Sequence, residues 1–183
     1  GADVHYVALS RCEESVPDGL PLDVLVHECR ACTATLGIPP ENVSIDQFQV
    51  RYFPRDRQEI LERFVSLKRS LNPDLVLVPS SQDTHQDHAV VSEEGFRAFK
   101  HTTLLGYELP QNLASFEHSA FVHLRPETLD LKVEALSAYA SQGFRPYASE
   151  AFIRGLATVR GAQALAPFAE AFEVMRLMIP SAR

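Results

Sequence analysis

The sequence predicts an α/β fold, layered, with a largely parallel sheet. Three observations predict it. Segments of strand character alternate with segments of helical periodicity along the whole chain, the pattern of strands joined by crossover helices. Residues 75–79, Leu-Val-Leu-Val-Pro, form an aliphatic run without polar alternation, as in a strand covered on both faces. The chain has 183 residues, 45% apolar and 22% charged, enough for one α/β domain with its own core and too few for two of ordinary size.

The elements follow in order. Residues 4–9 read as a short buried strand. Leu22, Leu25, Val26, Cys29, Cys32 and Leu36 recur at helical spacing, with Gly37 where a C-terminal cap belongs and Pro39-Pro40 beyond it. Residues 43–50 alternate loosely, like a strand. Asp56 and Glu59, after Pro54, make an N-terminal capping pattern, and Ile60, Leu61, Phe64, Leu67 and Leu71 then share one helical face. Asn72-Pro73-Asp74 breaks the chain before the aliphatic strand. A polar loop over 80–88 comes next, then a helix over 89–100. Residues 104–108 and 120–124 are further strands. Pro126 opens a helix with Leu129, Val133, Leu136 and Tyr139 on one side. Ser149 caps another that carries Phe152, Ile153, Leu156 and Val159. Residues 171–179 read as a last strand. No repeat, low-complexity tract or linker interrupts this order. Residues 1–183 are therefore read as a single domain, a three-layer, Rossmann-like α/β sandwich with a largely parallel central sheet.

Composition narrows the function. With 24 acidic and 17 basic residues the net charge is −7, and no basic stripe appears, so nucleic acid is not an expected partner. No apolar run reaches the ~18–20 residues of a membrane span, and no signal-peptide pattern opens the sequence. Cys29-Arg-Ala-Cys32 has the spacing of a redox or metal pair, but it lies on the apolar face of a predicted helix. Core packing of reduced thiols is the expectation, with a cytoplasmic location. Walker, dinucleotide-binding and GxSxG patterns are absent.

Ligands of α/β sheets bind beyond the carboxyl ends of the strands. The loop after residues 75–79 reads Ser80-Ser81-Gln82-Asp83-Thr84-His85-Gln86-Asp87-His88 and brings together two imidazoles and two carboxylates. His85 and His88, three apart, project from one side of a turn or helix start. Neutral imidazole is a common zinc ligand, and a nearby carboxylate fixes its tautomer. A second imidazole beside it can act as a general acid or stabilise an oxyanion. A catalytic zinc site normally takes three protein ligands, of which this loop supplies one or two. Arg51 and Arg57, which precede or begin the second helix, can reach an anionic group of a substrate or form surface salt bridges. Tyr107, Glu108 and Asn112 are candidates for the pocket rim.

Asp83-Thr84-His85-Gln86-Asp87-His88, after a hydrophobic strand ending in Pro79, resembles the second metal motif, D-x-H-x-D-H, of the PIG-L/LmbE-type zinc-dependent de-N-acetylases. The likeness extends along most of the chain. Glu28 with Leu36-Gly37, Leu105-Gly106-Tyr107-Glu108-Leu109-Pro110, Lys132, Arg160-Gly161 and Ala169-Glu170-Ala171-Phe172 all resemble family segments. The resemblance implies hydrolysis of an N-acetyl group from an N-acetylglucosamine-type sugar or glycoconjugate with Zn2+ or another divalent metal. It implies that His88 ligates the metal, that His85 assists catalysis, and that Asp87 orients a histidine. The family begins with a strand and a His-Pro-Asp-Asp loop that supplies two more ligands and the general base. This chain starts Gly1-Ala2-Asp3-Val4 and resembles a later part of the family, so the expectation is that the first strand and first metal loop are missing from it. The alternative reading is a non-catalytic carbohydrate- or partner-binding domain on the same fold. The oligomeric state is open, a homo-oligomer included.

Overall fold

The computed structural model describes residues 1–179. The fold is α/β, as the sequence leads one to expect. The chain divides into two compact units, Gly1–Val50 with His123–Glu170, and Arg51–Val122 with Ala171–Arg183. Among the described residues no helix is long and apolar enough to cross a membrane.

In the first unit, β1 (Tyr6–Ala8) pairs in parallel with β2 (Val43–Ile45), in the register Tyr6↔Val43 to Ala8↔Ile45. Between them runs α1 (Val24–Thr35). It ends where the sequence places its stop. Gly37 takes φ +75°, its N–H reaches the Ala34 carbonyl, and the Ile38 N–H reaches that of Thr33. That pair of bonds is a Schellman closure, which needs a left-handed residue and so favours glycine. Cys29 and Cys32 are buried free thiols on the inner face of α1, and burial pushes the Cys32 thiol up. Thiols so placed act as small hydrophobes. The Glu28 carboxylate accepts from the backbone N–H (2.8 Å) and hydroxyl (2.6 Å) of Ser141, fixing α1 to the turn at 140–142.

The same unit holds α4 (Pro126–Ser137) and α5 (Glu150–Gln163). Leu129, Ile153 and Ala157 form its core, with Leu124, Val133, Leu136 and Phe168 packed around them. Burying a side chain such as Leu129 stabilises by about 1.5–3 kcal/mol. Val159, expected on the inner face, is more than half exposed; Ala157 and Gly161 are the residues buried there instead.

In the second unit, α2 (Arg57–Leu71), β3 (Leu75–Pro79), α3 (Gln86–Ala98) and β4 (Thr103–Tyr107) follow one another. β3 and β4 are parallel, the register running Leu75↔Thr103 to Pro79↔Tyr107. Together with β5 (Ala120–Leu124) and β6 (Phe168–Arg176) they make a sheet of order β3-β4-β6-β5, with β6 antiparallel to β4. α2 packs on α3 through Phe64 and Phe99, whose ring centres are 6.0 Å apart.

Four expectations change in detail. The strand predicted over 43–50 is β2, three residues long. Asp56 stands at the N-cap position of α2 without capping it, because Arg55 holds its carboxylate (2.6 and 2.9 Å). β3 is not covered on both faces. Val78 is buried, but Leu75 and Leu77, pointing the other way, are half exposed on the end strand of the sheet. Finally, α3 starts at Gln86 rather than 89, which changes the setting of the two histidines.

Candidate functional site

The whole of the loop at 80–88 lies within the second unit. It leaves β3 by a turn closed between the Asp83 N–H and the Ser80 carbonyl (3.1 Å). Its far side is held by the segment at 110–113. The N–H and hydroxyl of Thr84 both reach the Asn112 carbonyl (3.1 and 2.7 Å), and Asp83 bridges to Leu113.

His85 occupies the N-cap position of α3, and its Nδ1 accepts from the Asp87 N–H at 3.2 Å. A backbone N–H can only donate, so Nδ1 of His85 is an acceptor. The neutral ring therefore carries its proton on Nε2. His88 sits one turn into the helix. Its Nδ1 lies 2.8 Å from Oδ2 of Asp83, whose side chain is 1% exposed. A carboxylate can only accept, so His88 donates through Nδ1 and its Nε2 bears a lone pair. Asp83 is fixed in turn, since its Oδ1 accepts the His85 N–H (2.8 Å) and its Oδ2 the Asn112 amide (3.3 Å). The two rings lie 4.5 Å apart, centre to centre, and 31° from parallel. One of the two Nε2 atoms is thus a hydrogen-bond donor and the other a bare electron pair.

Of the sequence-predicted residues, the structure brings His85, Asp87 and His88 together with the backbone of Arg51. The carboxylate of Asp87 is buried, but it does not meet an imidazole. It accepts from the N–H groups of Arg51 (2.5 Å) and Phe53 (3.3 Å). The carboxylate on an imidazole is Asp83. Arg51 contributes its main chain here, in the left-handed region (φ 72°), with its carbonyl taken by the Gln86 amide. Arg57 lies outside this cluster. Its guanidinium bridges Glu93 (2.7 Å) and the fully buried Glu94, whose other oxygen is taken by Arg97 (2.6 Å). That network of four charged residues ties α2 to α3. Asn112, expected at a pocket rim, steadies the Asp83 carboxylate that holds His88. Glu173 of β6, which grips the start of the loop, gave no sequence signal at all.

A divalent metal is matched by these residues in one place, the Nε2 of His88. A ligating histidine usually gives its other ring N–H to a carboxylate, the part Asp83 plays here. Among the described residues no group of three or more His, Cys, Asp or Glu side chains is placed to hold a metal ion.

A family model described as "PIG-L: GlcNAc-PI de-N-acetylase" matches residues 1–99. No curated protein matches the chain. Several solved structures share the fold at low identity. The conserved protein TT1542 from Thermus thermophilus is 21% identical over 97% of this chain and 84% of its own (TM-score 0.73). The 4-carboxy-2-hydroxymuconate hydratase GalB from Pseudomonas putida is 18% identical over 98% and 86% (TM-score 0.75). The N,N'-diacetylchitobiose deacetylase from Pyrococcus horikoshii is 16% identical over 94% and 73% (TM-score 0.76). A hydratase and a deacetylase on one backbone make the point that the fold does not choose the chemistry.

Proposed function

The chain belongs to the PIG-L (GlcNAc-PI de-N-acetylase) family, and from that premise we propose that it is part of a zinc-dependent hydrolase. The reaction is removal of an N-acetyl group from an N-acetylglucosamine-type sugar or glycoconjugate, in the cytoplasm. The observation that carries this reading is the opposed pair of imidazoles. His88, its Nδ1 given to Asp83, offers a lone pair, and His85, its Nδ1 accepting from Asp87, offers a proton.

Amide hydrolysis needs both properties side by side. A carbonyl under attack develops negative charge on oxygen, and the amine leaves only when protonated. The Nε2–H of His85 can donate a hydrogen bond to that oxygen. His88 would serve as one metal ligand, and a zinc ion held there would supply Lewis acidity toward the acetyl carbonyl. Asp87 acts as a positioning residue, holding the Arg51–Phe53 backbone against the start of α3. The exposed Arg51 side chain is the proposed contact for an anionic part of the substrate. The ion pairs of Arg57 give it the structural role instead.

The direct test is acetate release from an N-acetylglucosaminide by the full-length protein, with and without a chelator. Zinc-dependent release is the expected result. Binding of the sugar without any turnover would support instead a carbohydrate-binding domain.

A further inference from the structure

Glu173 lies far from the loop in sequence and has no place in the motif. It stands on β6, paired with Gly106 of β4, and is buried. Its carboxylate crosses β4 to the first residues after β3. It accepts the Ser80 hydroxyl (2.7 Å), the Ser81 N–H (2.8 Å) and the Ser81 hydroxyl (2.5 Å). Gly106 makes the crossing possible. A Cβ there would stand 2.9 Å from the Ser80 Cα and 3.0 Å from Oε2 of Glu173.

The bonds continue toward the histidines. The Ser80 hydroxyl also accepts the Gln82 N–H (3.2 Å), and the Ser80 carbonyl accepts the Asp83 N–H (3.1 Å). Asp83 then holds the His88 ring and the His85 N–H. A buried carboxylate accepting three charge-assisted bonds is a strong anchor, and removing it leaves the two serines without an acceptor.

We infer that Glu173 is a positioning residue of the proposed hydrolase, setting the turn at 80–83 so that Asp83 holds His88 in its ligand tautomer. The kinetic part of this inference rests on the de-N-acetylase reading. The structural part does not.

Two measurements on the full-length protein separate them. Glu173→Ala is expected to lower kcat for acetate release about 10–100-fold with KM little changed. Glu173→Gln, which keeps an acceptor for Ser80 and the Ser81 N–H, is expected to restore most of it. Proton NMR with 15N-labelled histidine reads the positioning itself. The Nδ1–H of His88 should give a protected resonance in the wild type and in Glu173→Gln, and lose it to exchange in Glu173→Ala. A folded Glu173→Ala protein with that resonance intact overturns the inference, whatever its activity. Loss of the resonance in a protein whose wild type releases no acetate overturns the hydrolase reading and keeps the positioning role. Should Glu173→Ala fail to fold, Ser81→Ala carries the test. Ser81 is exposed and its hydroxyl meets the same carboxylate, so both readouts should shift the same way by less. No shift in either overturns the inference.

Discussion

The helices α5 and α3 both begin with a side chain that accepts a backbone N–H. At α5 the cap is a hydroxyl. Ser149 Oγ accepts the Phe152 N–H at 3.3 Å and donates to the Pro146 carbonyl at 2.7 Å. At α3 the cap is the imidazole of His85, accepting the Asp87 N–H at 3.2 Å. Both satisfy one of the orphan donors that every helix start exposes. Only the imidazole has a second ring nitrogen left over, and the cap decides whether that nitrogen carries a proton. A cap in the first unit ends its task in the helix. The cap in the second unit also sets which ring nitrogen carries the proton of the neutral imidazole.

The sharpest way to break this comparison is at His88, whose tautomer is set by Asp83 rather than by a cap. In the full-length protein His88→Ala is expected to remove most bound zinc and, with it, acetate release. Metal analysis showing unchanged stoichiometry would end the assignment of His88 as a ligand. His85→Ala should keep its zinc and lose about 10²–10³-fold in kcat, the usual effect of removing one donor to a developing oxyanion, with KM little changed. Steady-state kinetics and metal content on one sample decide between the two roles. If both variants lose zinc equally, both rings are ligands and the donor role of His85 fails.

Much of this arrangement was legible in the residues, and the rest was not for physical reasons. The loop was recognisable because a polar cluster follows an aliphatic strand, and the strand–helix alternation is a local pattern. The sequence puts the start of α3 three residues late, because the residues that cap helices most often are Ser, Thr, Asp and Asn and His85 does not read as a cap. Asp83 and Asp87 flank the same histidines in sequence. Which of them meets an imidazole depends on the turn at 80–83, and that turn is held by Glu173, 93 residues from Ser80. Arg57 likewise takes its partners from another helix, Glu93 and Glu94. The aliphatic run marks β3 as apolar on both faces without recording that Leu75 and Leu77 are only half covered on the end strand.

The smallest expected effect separates capping from chemistry. Ser149→Ala removes the cap of α5, and losing such a cap typically costs about 1 kcal/mol. In a domain of this size that lowers Tm by about 2–4 °C. The kcat should not change, since the Ser149 hydroxyl serves the start of its own helix, through Pro146 and Phe152. The mirror variant is His85→Ser. It gives α3 a hydroxyl, a stronger capping group than most, so Tm should hold near the wild-type value. It also removes the ring, so kcat should fall as far as in His85→Ala. Thermal unfolding and turnover on the two variants should therefore move in opposite ways, one losing stability alone and the other activity alone. A His85→Ser protein that recovers turnover would show that the imidazole matters only as a cap. A Ser149→Ala protein that loses turnover would show that helix capping by itself, and not the ring, controls the rate.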